Sequence, residues 1–407
     1  MTAVESDRAD RTHEPLTDQF MGVELSVDDA NQLYADLRAR GRLLWNATQG
    51  FWVAPHHAEV MAVSTDPATY RSGQGILTFE IGADYADKPP TMMHTDPPAH
   101  TRYRSLVQPA FGRRVVKTLD ASVRDAARLL VEALPLDEPV DIVPPLAVPL
   151  PVQVIAQLLG LPEEEWDRVW EWSEASIPGT EIYADEARRL ALNDEMMSTL
   201  MRLTAEARSN PSEDVIGWLA TTEIDGDKLT DDEIAMFLNQ LLVAGNETTR
   251  NTISGGLVAL AENPGQWDRL VADRSLVPSA VEEILRWTTA VIYFMRTATK
   301  DVVLGGQAVA AGDPIVMVYA SANLDPEEFG PDADRFDVGR SPNHHVAFGF
   351  GAHFCLGAAL ARLEVAAVLD CLLDRGVTRL ELAGPVGRSV SNIIAGTTTA
   401  PMILHTS

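Results

Sequence analysis

The stretch FGFGAHFCLG, residues 348–357, sets Cys355 just before Gly357 and among Phe348, Phe350 and Phe354. A thiol in such a place is either a small buried hydrophobe or, once ionised, a metal ligand. An apolar helical pattern, LGAALARLEVAAVLDCLL, follows directly, and backbone N–H groups at a helix start favour the thiolate. The glycines let backbone approach something large and flat, and the phenylalanines keep water from the sulfur. His344, His345 and His353 raise a zinc alternative, but one thiolate with irregular histidine spacing matches structural zinc sites poorly.

Three other groups of residues carry chemistry. In the long helix predicted over 230–262, the apolar run FLNQLLVAG gives way to Asn246-Glu247-Thr248-Thr249-Arg250-Asn251. Unpaired burial of such groups costs about 1–3 kcal/mol each, so this is either a solvated face or a site. Thr248 is placed to bond back to the carbonyl of Ala244, bending the helix and opening a groove. Glu283 and Arg286, three apart on a helix, fall within pairing distance, and Arg335 in PDADRFDVGR offers a second cation. Upstream, His100 and Arg104 stand four apart on a predicted helix, and Arg296 lies in FMRTA. All three suit carboxylates, as a cofactor with two acid groups would require.

Taken together these residues resemble the haem-thiolate monooxygenases, the cytochrome P450 family, over nearly the whole chain. Phe348, Gly351, Cys355 and Gly357 fill the family's cysteine-loop pattern, and Ala244-Gly245-Asn246-Glu247-Thr248-Thr249 its oxygen-activation pattern. Glu283 and Arg286 fit its E-x-x-R pair and Arg335 the third member. The resemblance implies haem b with Cys355 as axial ligand, and His100, Arg104, Arg296 and His353 as propionate partners. Ala244, Phe348, Gly349 and Gly357 would also contact the cofactor, while Glu283, Arg286 and Arg335 would be structural.

An anionic sulfur on iron favours O–O cleavage, and an acid beside a hydroxyl relays protons, so Glu247 and Thr248 are the expected catalytic pair. The expected reaction is insertion of one oxygen atom from O2 into an apolar C–H bond. A peroxide-driven member of the family and a non-catalytic haem sensor or carrier are the alternatives. The substrate pocket would draw on Ile76, Leu77 and Phe79 within 76–81, on 179–186, and on Ala244, Gly245, Val291, Ile292, Phe294, Ile393 and Ile394. Their apolar character favours a terpenoid, steroid or branched lipid.

The chain that must position these groups has 407 residues, 46% hydrophobic, with a net charge of −27. That supports a large core and argues against general binding to nucleic acid or anionic membranes. Two cysteines make no disulfide scaffold, and the start, MTAVESDRADRTHEP, lacks a signal-peptide pattern. A cytoplasmic protein is expected, with a mobile segment over 1–20 and one domain over 21–407. It is expected to act as a monomer. Segment 142–162 has no charge, but its prolines break a membrane-span helix; it reads as a buried connection entering a core helix.

The pattern is mainly α with small β-sheets, the cytochrome P450 fold. Helices are predicted at 120–134, 152–160, 163–176, 185–208, 230–262, 278–288 and 357–375, a hairpin over 42–54, and strands within 301–318 and 378–405. No reductase segment is found, so a separate ferredoxin with its reductase is the expected electron source. From Pro97 to Leu119 there is no acidic residue, while Arg102, Arg104, Arg113, Arg114 and Lys117 are present. This is either an ordinary basic face or a docking surface for an acidic ferredoxin.

Overall fold

The computed structural model describes residues 27–82, 91–161, 163–176, 181–211, 214–389, 391 and 393–406. The expectation for residues 1–20 therefore lies outside the described residues. In chain order the first helices and strands are α1 (Val27–Arg40), β1 (Leu44–Asn46), β2 (Phe51–Ala54), α2 (His57–Thr65), β3 (Tyr70–Arg71), α3 (Ala99–Val107), α4 (Arg113–Ala133), β4 (Pro139–Asp141), α5 (Pro149–Leu158), α6 (Trp166–Ser176), α7 (Glu186–Ser209) and α8 (Val215–Thr221). There follow α9 (Asp231–Glu262), α10 (Pro264–Ala272), α11 (Val277–Thr288), β5 (Tyr293–Ala298), β6 (Val302–Leu304), β7 (Gln307–Val309), β8 (Pro314–Val318), α12 (Ala358–Asp374), β9 (Arg379–Leu382), β10 (Gly387–Arg388), β11 (Thr397–Thr399) and β12 (Pro401–His405).

α9 organises the core because both its ends and its faces are specified locally. Thr230 accepts from the Glu233 N–H and Glu233 accepts from the Thr230 N–H, satisfying two donors that a helix start otherwise leaves bare. Pro264 prevents continuation and supplies the first turn of α10. Ile234, Leu238, Leu242, Ile253, Leu257 and Leu260 are buried on α9, which packs against α5, α6, α7, α11 and α12. A helix apolar around most of its circumference belongs in a core. Close approach of α5 is permitted by Gly245, where a Cβ would come within 2.7 Å of Ile155.

The larger sheet has the order β1-β2-β8-β5-β3, with β2 and β8 parallel and the other pairs antiparallel. A three-stranded sheet, β4-β12-β9, ties residues 139–141 to the C-terminal strands. The expected hairpin is β1–β2. Segment 143–147 is a short π-type turn leading into α5, with Val143, Leu146 and Leu150 buried, as the proline spacing implied. Strand β5 was not anticipated, nor were α1, α2, α8 and α10. No helix among the described residues is long and apolar enough to cross a membrane.

Candidate active site

Four elements converge on one cavity of about 230 Å³. Its lining comes from the cysteine loop, the middle of α9, β5 and α3. The loop is shaped by Gly349 and Gly351, whose φ angles of 64° and 71° favour glycine. A Cβ at Gly351 would also collide with the Ser64 carbonyl oxygen. The Cys355 N–H then donates to the Phe348 carbonyl (2.9 Å), closing the loop.

Cys355 stands in the cavity lining, just before α12. Although the residue is exposed to the cavity, desolvation at its depth in the fold pushes the thiol up. The Gly357 and Ala358 N–H groups, Arg104 and Arg362 act in the opposite sense, toward thiolate. Arg362 lies over the Phe348 ring (4.6 Å) and pairs with Glu282 (2.6 Å), fixing the support beneath the loop. Among the described residues the zinc alternative finds no ligand set: His344 meets Glu328, His345 meets Glu282, and His353 meets Ser72.

The cavity's cationic edge is short of anions. Arg104 donates to the Phe354 carbonyl (2.8 Å) and Arg296 to the Met295 carbonyl (2.7 Å). Neither makes an ion pair with a carboxylate among the described residues. The His100 ring lies 4.1 Å from that of His353, and its enclosed Nε2 has no hydrogen-bond partner. Burial, joined by the mutual repulsion of Arg296, His100 and Arg104, holds His353 down to about 2. Burial also lowers Arg104 and Arg296. Asp96 acts on His100 and Arg296 from a distance, but its carboxylate accepts from the Ser72 and Gly73 N–H groups; in a chain of net charge −27, cations with no carboxylate paired to them fit a group bringing its own.

On α9, Thr248 donates to the Ala244 carbonyl (2.7 Å), the expected back-bond, and both residues line the cavity with Gly245. Glu247 does not face that cavity. Its carboxylate accepts from Arg250 (2.6 Å) and Asn251 (2.8 Å), and Arg250 reaches on to Glu174 of α6 (2.8 Å). Burial pushes Glu247 up against the opposing pull of Arg250 and Asn251.

Beneath the loop, Arg286 grips Glu283 with two bonds (2.8 and 2.7 Å) and spends its remaining donors on the carbonyls of Asn323, Ala333 and Arg335. The second cation on Glu283 is Arg340, not Arg335: Arg340 Nε lies 3.3 Å from Glu283 Oε1. The Arg335 side chain is exposed and that residue contributes its carbonyl oxygen, which accepts from Arg286 and Arg340. A buried carboxylate selects the cation that the backbone turns inward, and in this loop that residue lies five positions later.

Among the expected pocket residues, Ile76, Ala244, Gly245, Val291 and Phe294 line the cavity. Leu77, Phe79, Ile292, Ile393 and Ile394 do not. Ile292 and Ile393 belong to a second core cluster against which Leu77 and Ile394 pack, and Phe79, on a one-turn helix, is 65% exposed. Of 179–186, residues 179–180 lie outside the described residues, and 181–186 are absent from the lining. Met92, Met93, Ile155, Phe237, Gln240 and Leu241 line the cavity and had not been anticipated. The last three continue the spacing of Ala244 and Thr248 along α9, a signal present in the sequence. In the basic segment, Arg102 is consumed by Asp227 (2.5 Å) and Glu233 (2.8 Å), and Arg104 by the cavity edge, while Lys117 is exposed. The Arg113 and Arg114 side chains lie outside the described residues.

A family model described as cytochrome P450 matches residues 188–375. Linalool 8-monooxygenase of Pseudomonas putida is 35% identical over 90% of this chain and 93% of its own length. The chain belongs to the cytochrome P450 family. Steroid C26-monooxygenase of Mycolicibacterium smegmatis is 36% identical over 80% of this chain and 77% of its own. The cytochrome P450 CYP268A2 of Mycobacterium marinum, solved in complex with pseudoionone, superposes with a TM-score of 0.87 at 33% identity, covering 97% of this chain and 99% of that one. The protein is thus a P450 monooxygenase of mainly α fold, and its cofactor is haem held by a cysteine thiolate.

Proposed function

We propose that this P450 hydroxylates an apolar terpenoid, steroid or branched lipid, and that the Cys355 thiolate would hold the iron of haem b. His100, Arg104, Arg296 and His353 would hold the propionates. The observation that carries this reading is the cavity itself, lined by the Cys355 thiol, by Arg104 and Arg296 without ion-pair partners among the described residues, and by Phe237, Leu241, Ala244 and Thr248 of α9. When bound, a thiolate-ligated haem supplies the reduction and splitting of O2.

The chain's own residues exclude water and move protons. Phe348, Phe294, Phe237 and Leu241 give the space apolar walls. Thr248 carries a hydroxyl at the cavity surface, and its present acceptor, the Ala244 carbonyl, is released by one χ1 rotation. Glu247 is the proton source, its burial favouring the protonated form. It reaches Thr248 by leaving Arg250, or through intervening water. Such an acid–hydroxyl pair suits an O2-driven reaction, whereas a peroxide-driven one does not require it. Relatives named for linalool and steroid substrates support the substrate class. Electrons would come from a ferredoxin and its reductase, docking at the basic segment around Lys117.

The reduced protein under carbon monoxide tests the ligand assignment. A strongly red-shifted Soret band is expected; haem with an ordinary, unshifted band would refute thiolate ligation by Cys355.

A further inference from the structure

We infer that Gln240 is a specificity residue, and that the cavity takes an apolar substrate bearing a hydroxyl that bonds this amide. The inference rests on the monooxygenase reading above and narrows its substrate class. Gln240 lies on the cavity face of α9 with Phe237, Leu241 and Ala244. Its Oε1 is enclosed and has no hydrogen-bond partner among the described residues, and a turn of the amide about its soft terminal torsion presents it to the cavity. Of the cavity-lining threonines on the helix, Thr248 rests on the Ala244 carbonyl (2.7 Å) and Thr252 on the Thr248 carbonyl (2.8 Å). The charged lining groups stand on other elements, Arg104 on α3, Arg296 on β5 and Glu364 on α12.

A polar group enclosed without a partner is destabilising unless something that enters the cavity completes it. A hydroxyl both donates and accepts, so it meets an amide in either of its orientations. A carboxylate would find no counter-charge beside Phe237, Leu241 and Ala244. Gln240 precedes Ala244 by one helical turn and Thr248 by two, roughly 6 and 12 Å along the axis. A substrate anchored by its hydroxyl at Gln240 and extending toward Thr248 is therefore oxidised at a carbon remote from that hydroxyl.

Linalool and citronellene, which is linalool without its hydroxyl, form a matched pair of probes. Each is titrated into the haem-loaded protein, with binding read from the spin-state shift of the Soret band. Wild type is expected to bind linalool about tenfold or more tightly than citronellene. Gln240→Leu and the length-matched Gln240→Met should each bring the two ligands to within about twofold, with haem content unchanged. Wild type binding both alike or neither overturns the inference, and so does a preference that survives in both variants. These outcomes are distinct from failure of the monooxygenase reading, which would show as a missing red shift under carbon monoxide whatever the ligand.

Discussion

Replacing Arg340 by alanine should destabilise the haem-loaded protein far more than the same change at Arg335. Arg340 is 9% exposed. It donates to Glu283 (3.3 Å) and to the carbonyls of Phe329 (3.3 Å), Asp332 (2.9 Å) and Arg335 (2.9 Å). Truncation strands the Phe329 carbonyl and takes one of two cations from the buried Glu283, whose oxygens keep Arg286, Asn343 and the Asp337 N–H. Removing one partner of a buried pair costs about 3–5 kcal/mol, and Arg286 remains on Glu283, so the lower end, about 3 kcal/mol, applies. Unfolding entropy of about 2.1 cal/mol/K per residue over 407 residues sums to roughly 0.85 kcal/mol/K, so the melting temperature should fall by about 3–4 °C. Arg335 engages through its backbone oxygen, which alanine keeps, so its loss should stay within about 0.5 kcal/mol, less than 1 °C. Melting curves and haem content per chain, measured side by side, decide it. Equal losses in the two variants would refute the assignment of Arg340 to the Glu283 network.

Thr248→Ala should leave haem binding intact and divert O2 uptake toward peroxide; a product-to-O2 ratio equal to wild type would remove Thr248 from the proton path. Cys355→His should retain some haem but lose monooxygenation and the red-shifted carbon monoxide band, and product formation by that variant would refute the thiolate argument. Burial alone would push Asp325 up, but the His56 bond (3.0 Å) and the His57 and Glu327 N–H groups outweigh it and hold the carboxyl at about 2. Because the folded value lies below the unfolded one, the carboxylate contributes stability above about pH 4 that is lost as pH falls toward 2. Asp325→Asn should therefore cost about 2 kcal/mol near neutrality, with the gap to wild type narrowing between about pH 4 and 2 in acid denaturation; a pH-independent gap would contradict the linkage. Arg113→Glu with Arg114→Glu should slow ferredoxin-driven reduction without loss of haem, checked by stopped-flow at low and high salt, and unchanged rates would remove the basic segment as the docking surface.

What the sequence made legible follows from the range of the forces involved. The ends of α9 were readable because a capping box and Asn263-Pro264 act within a few residues. Cys355, Glu283 and Arg286 were readable because their chemistry is tied to fixed local spacing. Strand β5 escaped because its pairing with β8 and β3 is set by partners distant in sequence. The choice between Arg335 and Arg340 escaped for a related reason. Both lie in one irregular loop, and the path of its backbone past Glu283 decides which guanidinium is buried.

Cavity lining is harder still, since an apolar residue facing a cavity and one facing a core look alike in sequence. On β5 the two-residue alternation sends Phe294 and Arg296 to the cavity and Tyr293 and Met295 to the second core cluster. Ile292, just before the strand, joins that core because its N–H is tied to the Ile393 carbonyl (2.8 Å). Polar residues break the ambiguity. An isoleucine is satisfied in either setting, but an enclosed polar atom without a partner among the described residues is not, so Gln240, His100 and, on α12, Glu364 mark where the cavity lining is incomplete. The separation of the first two sorts the cavity by chemistry: His100 stands with the arginines that suit a cofactor's carboxylates, and Gln240 stands among apolar side chains where only a neutral partner belongs.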